Sequence, residues 1–179
     1  MLSLLKIYGL LTAICIVALW FSGMSAFDAL CYAFSTLSTG GFVTSNTAGT
    51  AFASRGIEVV LMIFMVIGAV NFSLHWSFFN GDRQSYFKDS EYRYLLVVIV
   101  LGSLFVFFLM MTQTDMSIPD TLRYAVFNTV SAVTTTGYNM PLVSGSGQYY
   151  WPIGALLVIL VLITIGGSTG STAGGIKLM

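Results

Sequence analysis

Charged residues are scarce in this sequence of 179 residues, since Asp, Glu, Lys and Arg together make up only 8%. An average soluble domain has roughly 25%. Seven basic and seven acidic residues cancel to a formal net charge of zero, which excludes a surface that attracts nucleic acid. Apolar residues make up 56% of the chain, which excludes both an ordinary water-soluble domain and a disordered chain. We therefore expect an integral membrane protein.

Cysteine and histidine are also scarce. Cys15 and Cys31 are the two cysteines, and their apolar surroundings predict packing thiols rather than a disulfide framework or a zinc site. The single histidine, His75, is expected to form a hydrogen-bonded packing pair with Asn71, one helical turn earlier. No carboxylate falls centrally in a long apolar segment, with Glu58 at the end of one, so proton-driven transport has little local support.

Long apolar runs are what the sequence has instead. A membrane-spanning helix needs about 20 mainly apolar residues, and four runs are predicted to span: 4–21, 57–79, 94–111 and 149–165. The first has no small-residue cleavage motif at its end, so it is interpreted as a spanning helix and not as a signal peptide. The fourth leads into a glycine-rich stretch at 166–175 that interrupts it.

Two shorter apolar segments, 26–38 and 119–134, are too short to span and predict re-entrant helices. Each opens with Ser-x-x-Asp, formed by Ser25 with Asp28 and by Ser117 with Asp120. A serine cap followed by a carboxylate in the first turn is a helix-start signal. Each short helix then runs into a threonine- and glycine-rich stretch that continues a helix poorly.

The basic residues predict an orientation. If the amino terminus is cytoplasmic and the short helices enter from outside, five basic residues lie inside and two lie outside, in agreement with the positive-inside rule. The inside set is Lys6, Arg83, Lys88, Arg93 and Lys177, and the outside set is Arg55 and Arg123.

A shift of 96 residues superposes the unusual parts of the chain. The matched pairs are Ala29 with Ala125, Ser35 with Ser131, Thr39 with Thr135, Gly41 with Gly137, and Phe42 with Tyr138. The sequence therefore predicts an all-α polytopic protein of two repeats, 1–80 and 81–179. Each consists of a spanning helix, a pore helix, a filter segment and a second spanning helix.

The two segments after the short helices predict an ion filter. Thr39-Gly40-Gly41-Phe42 and Thr135-Thr136-Gly137-Tyr138 share the pattern Thr-x-Gly-aromatic. Irregular backbone at membrane depth is tolerated where it lines a cavity, and backbone carbonyls replace the water shell of K⁺ in a filter. Glycine permits the positive φ that such a backbone needs. The dipoles of the short helices, ending here, favour a cation.

The glycine-rich stretch has two interpretations. It contains Gly166, Gly167, Gly170, Gly174 and Gly175, followed by Lys177. Small residues four apart are typical of close helix packing. So many glycines and hydroxyl residues also make a poor helix, and we favour an unwound segment that obstructs the pore and moves as a gate.

These motifs together resemble the TrkH/KtrB/HKT superfamily of K⁺ uptake proteins, and most closely its TrkH branch. The resemblance rests on residues 29–42, 70–76, 127–138 and 166–177, and it covers nearly the whole chain. It implies one filter strand per repeat, four repeats around a pseudo-fourfold pore, and a gating loop that matches residues 166–175. This chain would supply repeats two and three, which is half a pore.

The resemblance also implies partners and a location. It implies a multi-pass protein of the inner (cytoplasmic) membrane, a homo-oligomer, and a cytoplasmic nucleotide-binding regulatory subunit. K⁺ is the transported ion, bound through filter carbonyls, and neither a cofactor nor an enzymatic activity is expected.

Two other classes of function stay open at this stage. An intramembrane serine hydrolase would pair Ser168 or Ser171 with His75, but it would leave the repeat and the paired filters unexplained. A non-conducting fragment with an assembly or regulatory role would account for the missing repeats.

Overall fold

The structure, a computed structural model, describes residues 2–44, 54–82, 84–114, 116–140 and 151–177, with side chains described from residue 4. Every regular element in these ranges is a helix, which confirms the predicted fold class. The helices are α1 (Leu2–Phe21), α2 (Ala26–Leu37), α3 (Arg55–Ala69), α4 (Phe72–Phe79), α5 (Ser85–Lys88), α6 (Ser90–Gln113), α7 (Ile118–Val133) and α8 (Ile153–Ile165).

Two of the four predicted spans are long, unbroken apolar helices. Helix α1 contains an 18-residue window, Leu4–Phe21, that is apolar enough to cross a membrane, and α6 has 24 residues and the same property. The chain is therefore an integral membrane protein. Helix α8 has 13 residues, fewer than a perpendicular span needs. The predicted start of this span at 149 lies outside the described residues, as does Arg83.

The prediction of one continuous helix over 57–79 is wrong. The chain bends by 100° between α3 and α4, at Val70 and Asn71. The Asn71 side chain accepts a hydrogen bond from the Ser73 N–H at 2.9 Å and so caps α4. Hydropathy averages over Val70 and Asn71, whereas asparagine is a strong helix-capping residue. The capping preference of Asn71 was the signal for this break.

Both short helices form as predicted. Ser25 Oγ accepts from the Asp28 N–H at 3.1 Å at the start of α2. Ser117 Oγ accepts from the Asp120 N–H at 3.3 Å at the start of α7. Each serine hydroxyl also donates to the carboxylate of its aspartate at 2.7 Å. The same reciprocal cap thus begins both pore helices.

A buried ion pair joins the two halves of the chain. Arg123 on α7 donates from Nε to Oε2 of Glu58 at 2.5 Å and from Nη2 to Oε1 of the same carboxylate. The Glu58 side chain is only 3% exposed. Because a buried carboxylate is costly unless it is paired, this contact fixes the second pore helix against α3. The sequence placed Glu58 at the end of an apolar segment and Arg123 on the outside, but it did not pair them.

Candidate ion filter and gating loop

The first filter segment begins where α2 ends in a Schellman motif. The Thr39 N–H donates to the Thr36 carbonyl at 3.1 Å, and the Gly40 N–H donates to the Ser35 carbonyl at 2.7 Å. This pattern needs a left-handed residue after the helix cap, usually glycine. Here that residue is Thr39, with φ of 51°.

The second filter segment repeats this backbone 96 residues later. The Thr135 N–H donates to the Ala132 carbonyl and the Thr136 N–H to the Ser131 carbonyl, both at 3.0 Å. Thr135 has φ of 55°. The repeat detected in the sequence is therefore also a repeat of backbone conformation.

The glycines of the two segments also match. Gly41 has φ of 69° and Gly137 has φ of 88°, which agrees with the expectation that glycine provides positive φ here. A Cβ added to Gly41 would lie 2.1 Å from the Thr136 carbonyl oxygen. The two segments are thus in direct backbone contact, and Gly41 has no room for a side chain.

The exit of each filter segment is tied back to its pore helix. Thr44 Oγ1 donates to Asp28 Oδ1 at 2.6 Å, and the Met140 N–H donates to Asn128 Oδ1 at 3.1 Å. The hydrogen bonds from Thr44 and Ser25 lower the pKa of the Asp28 carboxyl.

The carbonyls of the filter segments are available to a ligand. Within the described residues, no N–H or O–H group donates to the carbonyl oxygens of Thr39, Gly40 or Gly41, or to those of the matching 135–137. The last turns of α2 and α7 point their negative dipole ends at this place. Free carbonyls beside two helix carboxyl ends are the kind of environment that binds a dehydrated monovalent cation.

The aromatic residues of the two segments differ in their surroundings. Tyr138 is 3% exposed and packs behind α2, where its hydroxyl lies 3.0 Å from Thr36 Oγ1. Phe42 is 79% exposed. The aromatic residue is therefore buried in the second filter segment and exposed in the first.

A cavity of about 160 Å³ lies behind α7 and is lined by Asn128, Ser131, Ala132 and Trp151, among others. Residues 128, 131 and 132 of α7 correspond, after the shift of 96 residues, to residues 32, 35 and 36 of α2. Tyr138 packs against that surface of α2. Gly137, beside the cavity, would have no atom within 4 Å of an added Cβ. Among the described residues, the space beside the second filter segment is thus open.

The glycine-rich stretch is unwound, and its two ends meet. An added Cβ on Gly175 would lie 2.5 Å from the Gly166 Cα. Both glycines have positive φ, 76° at Gly166 and 85° at Gly175. The segment is therefore a loop closed at a narrow neck, like an Ω-loop. We call residues 166–175 the intramembrane loop.

The intramembrane loop fills the break between α3 and α4. In a continuous helix the Gly68 and Ala69 carbonyls would accept from residues 72 and 73. Here the N–H of Thr172 donates to Gly68 at 3.2 Å, and the N–H of Ser168 donates to Ala69 at 3.0 Å. The freed Phe72 N–H donates to the Gly170 carbonyl at 3.2 Å. The loop thus satisfies backbone groups that lipid could not.

The same loop contacts both filter segments. Thr39 Oγ1 donates to the Thr172 carbonyl at 2.9 Å, and the Gly174 N–H donates to Thr135 Oγ1 at 2.7 Å. Thr172 Oγ1 also donates to the Leu37 carbonyl, the last of α2, at 2.7 Å. Thr39 and Thr135, the two left-handed threonines, are therefore both hydrogen-bonded to the same loop.

The remaining loop glycines and Lys177 stabilise this arrangement. An added Cβ on Gly167 would lie 2.8 Å from the Ala69 carbonyl oxygen, and one on Gly170 would lie 2.9 Å from Asn71 Oδ1. Lys177 Nζ lies 3.5 Å from the Ser171 carbonyl. These close approaches require glycine at both positions. The small residues thus pack a non-helical loop against a broken helix, rather than one helix against another.

His75 has a structural role. Its Nε2 donates to the Ile67 carbonyl at 3.0 Å, and its Nδ1 lies 2.5 Å from the Tyr86 hydroxyl. The expected pairing with Asn71 is wrong, because Asn71 caps α4. Ser171 Oγ donates to the Ser168 carbonyl at 2.6 Å. Since both ring nitrogens and this serine are engaged elsewhere, the described residues do not form a serine–histidine dyad.

Comparisons with known proteins show the family of the chain. The family model for TrkH, described as a cation transport protein, matches residues 1–179. The Trk system potassium uptake protein TrkH of Vibrio parahaemolyticus is 36% identical over 99% of this chain and 36% of its own length. The protein of the same name from Escherichia coli K12 is 34% identical, with the same coverage of both chains.

A solved structure is also similar. It is the potassium transporter TrkH from Vibrio parahaemolyticus, with a TM-score of 0.82 and 37% sequence identity. The match covers 93% of this chain and 36% of that one. The chain thus spans about 36% of the length of the curated relatives it matches.

Proposed function

Because this chain belongs to the TrkH family of cation transport proteins, we propose that it forms half of a K⁺ uptake pore in the inner (cytoplasmic) membrane. Its repeats are 1–80 and 81–179. The backbone carbonyls of 39–42 and 135–138 coordinate K⁺, and the intramembrane loop gates the path. The regulatory partner is a cytoplasmic nucleotide-binding subunit, and the working form is a homo-oligomer.

One observation carries this proposal. Two segments with the same left-handed backbone meet at Gly41 and Thr136, with their carbonyls unengaged among the described residues. Helix ends of this type are common, but an ordinary pair of them has no reason to meet at matching residues. A filter does, because several strands must present carbonyls to one ion.

The intramembrane loop supports a gated pore over an open one. It donates to or accepts from both left-handed threonines, so it lies directly against the entrance to both filter segments. Its neck at Gly166 and Gly175 lets it move as a unit.

The filter is tested with Gly137→Ser, since Gly137 has open space around it, whereas any side chain at Gly41 would clash. We expect proteoliposomes containing the chain to take up radioactive Rb⁺, and K⁺ but not Na⁺ to compete. Gly137→Ser should weaken the discrimination between K⁺ and Na⁺. Gly23→Ser is the matched control, because Gly23 also has positive φ of 102° and open surroundings but lies outside the filter.

Uptake that Na⁺ suppresses as well as K⁺, or discrimination that Gly137→Ser and Gly23→Ser leave equally intact, would overturn the filter assignment. Folded protein without uptake would favour the second candidate, a non-conducting fragment. The open space beside Gly137 is the observation that favours this candidate.

The gate has its own test in the same assay. Deleting residues 167–174 joins Gly166 to Gly175, whose backbones already touch. We expect faster Rb⁺ uptake from this variant. Unchanged or slower uptake by the folded deletion variant would remove the gate.

A further inference from the structure

A carboxylate at the start of α6 contacts the intramembrane loop. Glu91 lies in the first turn of α6, 78 residues before its partner. Its Oε2 accepts from the Thr169 N–H at 2.9 Å, and its Oε1 accepts from Thr169 Oγ1 at 2.6 Å. Both carboxylate oxygens are thus used on a single loop residue.

Glu91 caps the turn at Thr169, because it accepts from both the backbone N–H and the hydroxyl of that residue. Thr169 lies at the tip of a tight turn, in which the Ser171 N–H and Oγ both donate to the Ser168 carbonyl, at 3.3 and 2.6 Å. Glu91 is half-buried. Hydrogen bonds to an ionised acceptor are roughly twice as strong as neutral ones, and they strengthen away from water.

The turn that Glu91 holds is the part of the loop that enters the helix break. Ser168 donates to the Ala69 carbonyl and Gly170 accepts from the Phe72 N–H, on either side of Thr169. If the turn leaves Glu91, these two bonds lose the support of a carboxylate that is fixed on α6. The contact therefore bears on whether the loop stays in the break.

We propose that Glu91 is a positioning residue for the intramembrane loop. Its carboxylate, fixed at the start of α6, keeps the 168–171 turn seated in the break between α3 and α4. The inference rests on the proposed function in treating the loop as a gate. It adds that the charged segment at 80–93, which contains Glu91, is linked to that gate through one side chain.

The test uses a reporter that needs no ion flux. Ser168 is fully buried, and its Oγ has no partner among the described residues, so Ser168→Cys costs no hydrogen bond. The thiol reacts with a water-soluble maleimide only when the turn leaves the break. The unsubstituted chain, with Cys15 and Cys31, supplies the background rate.

We expect Glu91→Gln and Thr169→Val each to raise the labelling rate of Ser168→Cys by about tenfold or more, because losing a charge-assisted hydrogen bond shifts an equilibrium by at least that factor. The effects should be less than additive in the double variant, since both substitutions act on the bond between the Thr169 hydroxyl and Glu91, while the Thr169 N–H is kept in every variant. Arg93→Gln is the control for removing a charge, of the opposite sign, from the same end of α6. Thr164→Val is the control for removing a threonine hydroxyl, since the Thr164 hydroxyl donates within α8, to the Val161 carbonyl.

Labelling rates equal to those of the two controls, in either Glu91→Gln or Thr169→Val, would overturn the proposal. So would fully additive effects in the double variant. Thr169→Val decides the matter alone if Glu91→Gln does not fold. Because labelling is independent of transport, these outcomes are separate from success or failure of the Rb⁺ experiment.

Discussion

The most informative residues are two threonines where a helix ending of this type usually has glycine. A left-handed conformation costs a residue with a Cβ about 1–2 kcal/mol, and both Thr39 and Thr135 adopt it. Their hydroxyls explain the choice, since each makes a hydrogen bond to the intramembrane loop. Glycine would relieve the strain but would lose both contacts. Strained backbone conformations that the surrounding structure maintains are typical of functional sites.

At the residue scale, the two filter glycines should respond differently to the same substitution. Gly41→Ala and Gly137→Ala both force a Cβ into positive φ, at about 1–2 kcal/mol. Only Gly41→Ala also meets the Thr136 carbonyl, and overpacking of this kind costs roughly 1–3 kcal/mol more. We expect a lower thermal unfolding midpoint in detergent for Gly41→Ala than for Gly137→Ala. Equal midpoints would mean that the two filter segments do not touch.

The sequence identified the candidate filter residues by type and spacing, because the motif is local. It could not predict their partners. The contacts of Thr39 with Thr172 and of Thr135 with Gly174 join residues 133 and 39 positions apart, and nothing in the local pattern encodes them. The same is true of Glu91 with Thr169. Glu91 is one of six charged residues in the segment 80–93, and no local pattern distinguishes it from the others.

At the scale of elements, the helix break and the intramembrane loop depend on each other. The break frees the Gly68 and Ala69 carbonyls and the Phe72 N–H, and the loop supplies a partner for each. The His75 ring supplies another, for the Ile67 carbonyl. Each element therefore stabilises the other, since an unpaired backbone group in lipid costs several kcal/mol.

The neck of the loop gives a matched pair of substitutions. Gly175→Ala places a Cβ 2.5 Å from the Gly166 Cα, at positive φ. Gly174→Ala meets nothing closer than 3.5 Å. We expect Gly175→Ala to expose the buried Ser168 position, measured as faster labelling of Ser168→Cys, while Gly174→Ala leaves the rate near that of the parent. Similar rates for the two variants would mean that the neck is not closed.

Elements with a strong local signal were predicted, and elements fixed by long-range contacts were not. The caps at Ser25 and Ser117 are sequence signals, so α2 and α7 were placed correctly. The bend at Asn71 was missed because an apolar average over 57–79 hides a single capping residue. Its bend is also stabilised by a loop almost 100 residues later, which no local window includes.

At the scale of the whole molecule, the two matching halves of the described residues are asymmetric. One aromatic, Tyr138, is buried behind α2, and the matching one, Phe42, is exposed. The cavity behind α7 occupies the position that Tyr138 fills on α2. A further filter segment of the same kind, from a second copy or from a longer chain, would complete the pattern.

This asymmetry predicts opposite results at equivalent positions. Tyr138→Leu removes a buried ring and its hydrogen bond to Thr36, and should cost about 2–4 kcal/mol in the free energy of unfolding. Phe42→Leu should change the isolated chain by less than about 0.5 kcal/mol. Thermal unfolding of both variants in detergent checks this. A large loss in Phe42→Leu would show that the chain is already assembled into a more complete ring.

The contact between Gly166 and Gly175 has a mechanical consequence. The chain enters and leaves the loop at nearly one point. In the proposed gate, the loop can therefore swing about this neck as a flap on a single hinge, without displacement of α8. The work of opening is then confined to the hydrogen bonds along the flap, and no helix has to be dragged through the surrounding lipid.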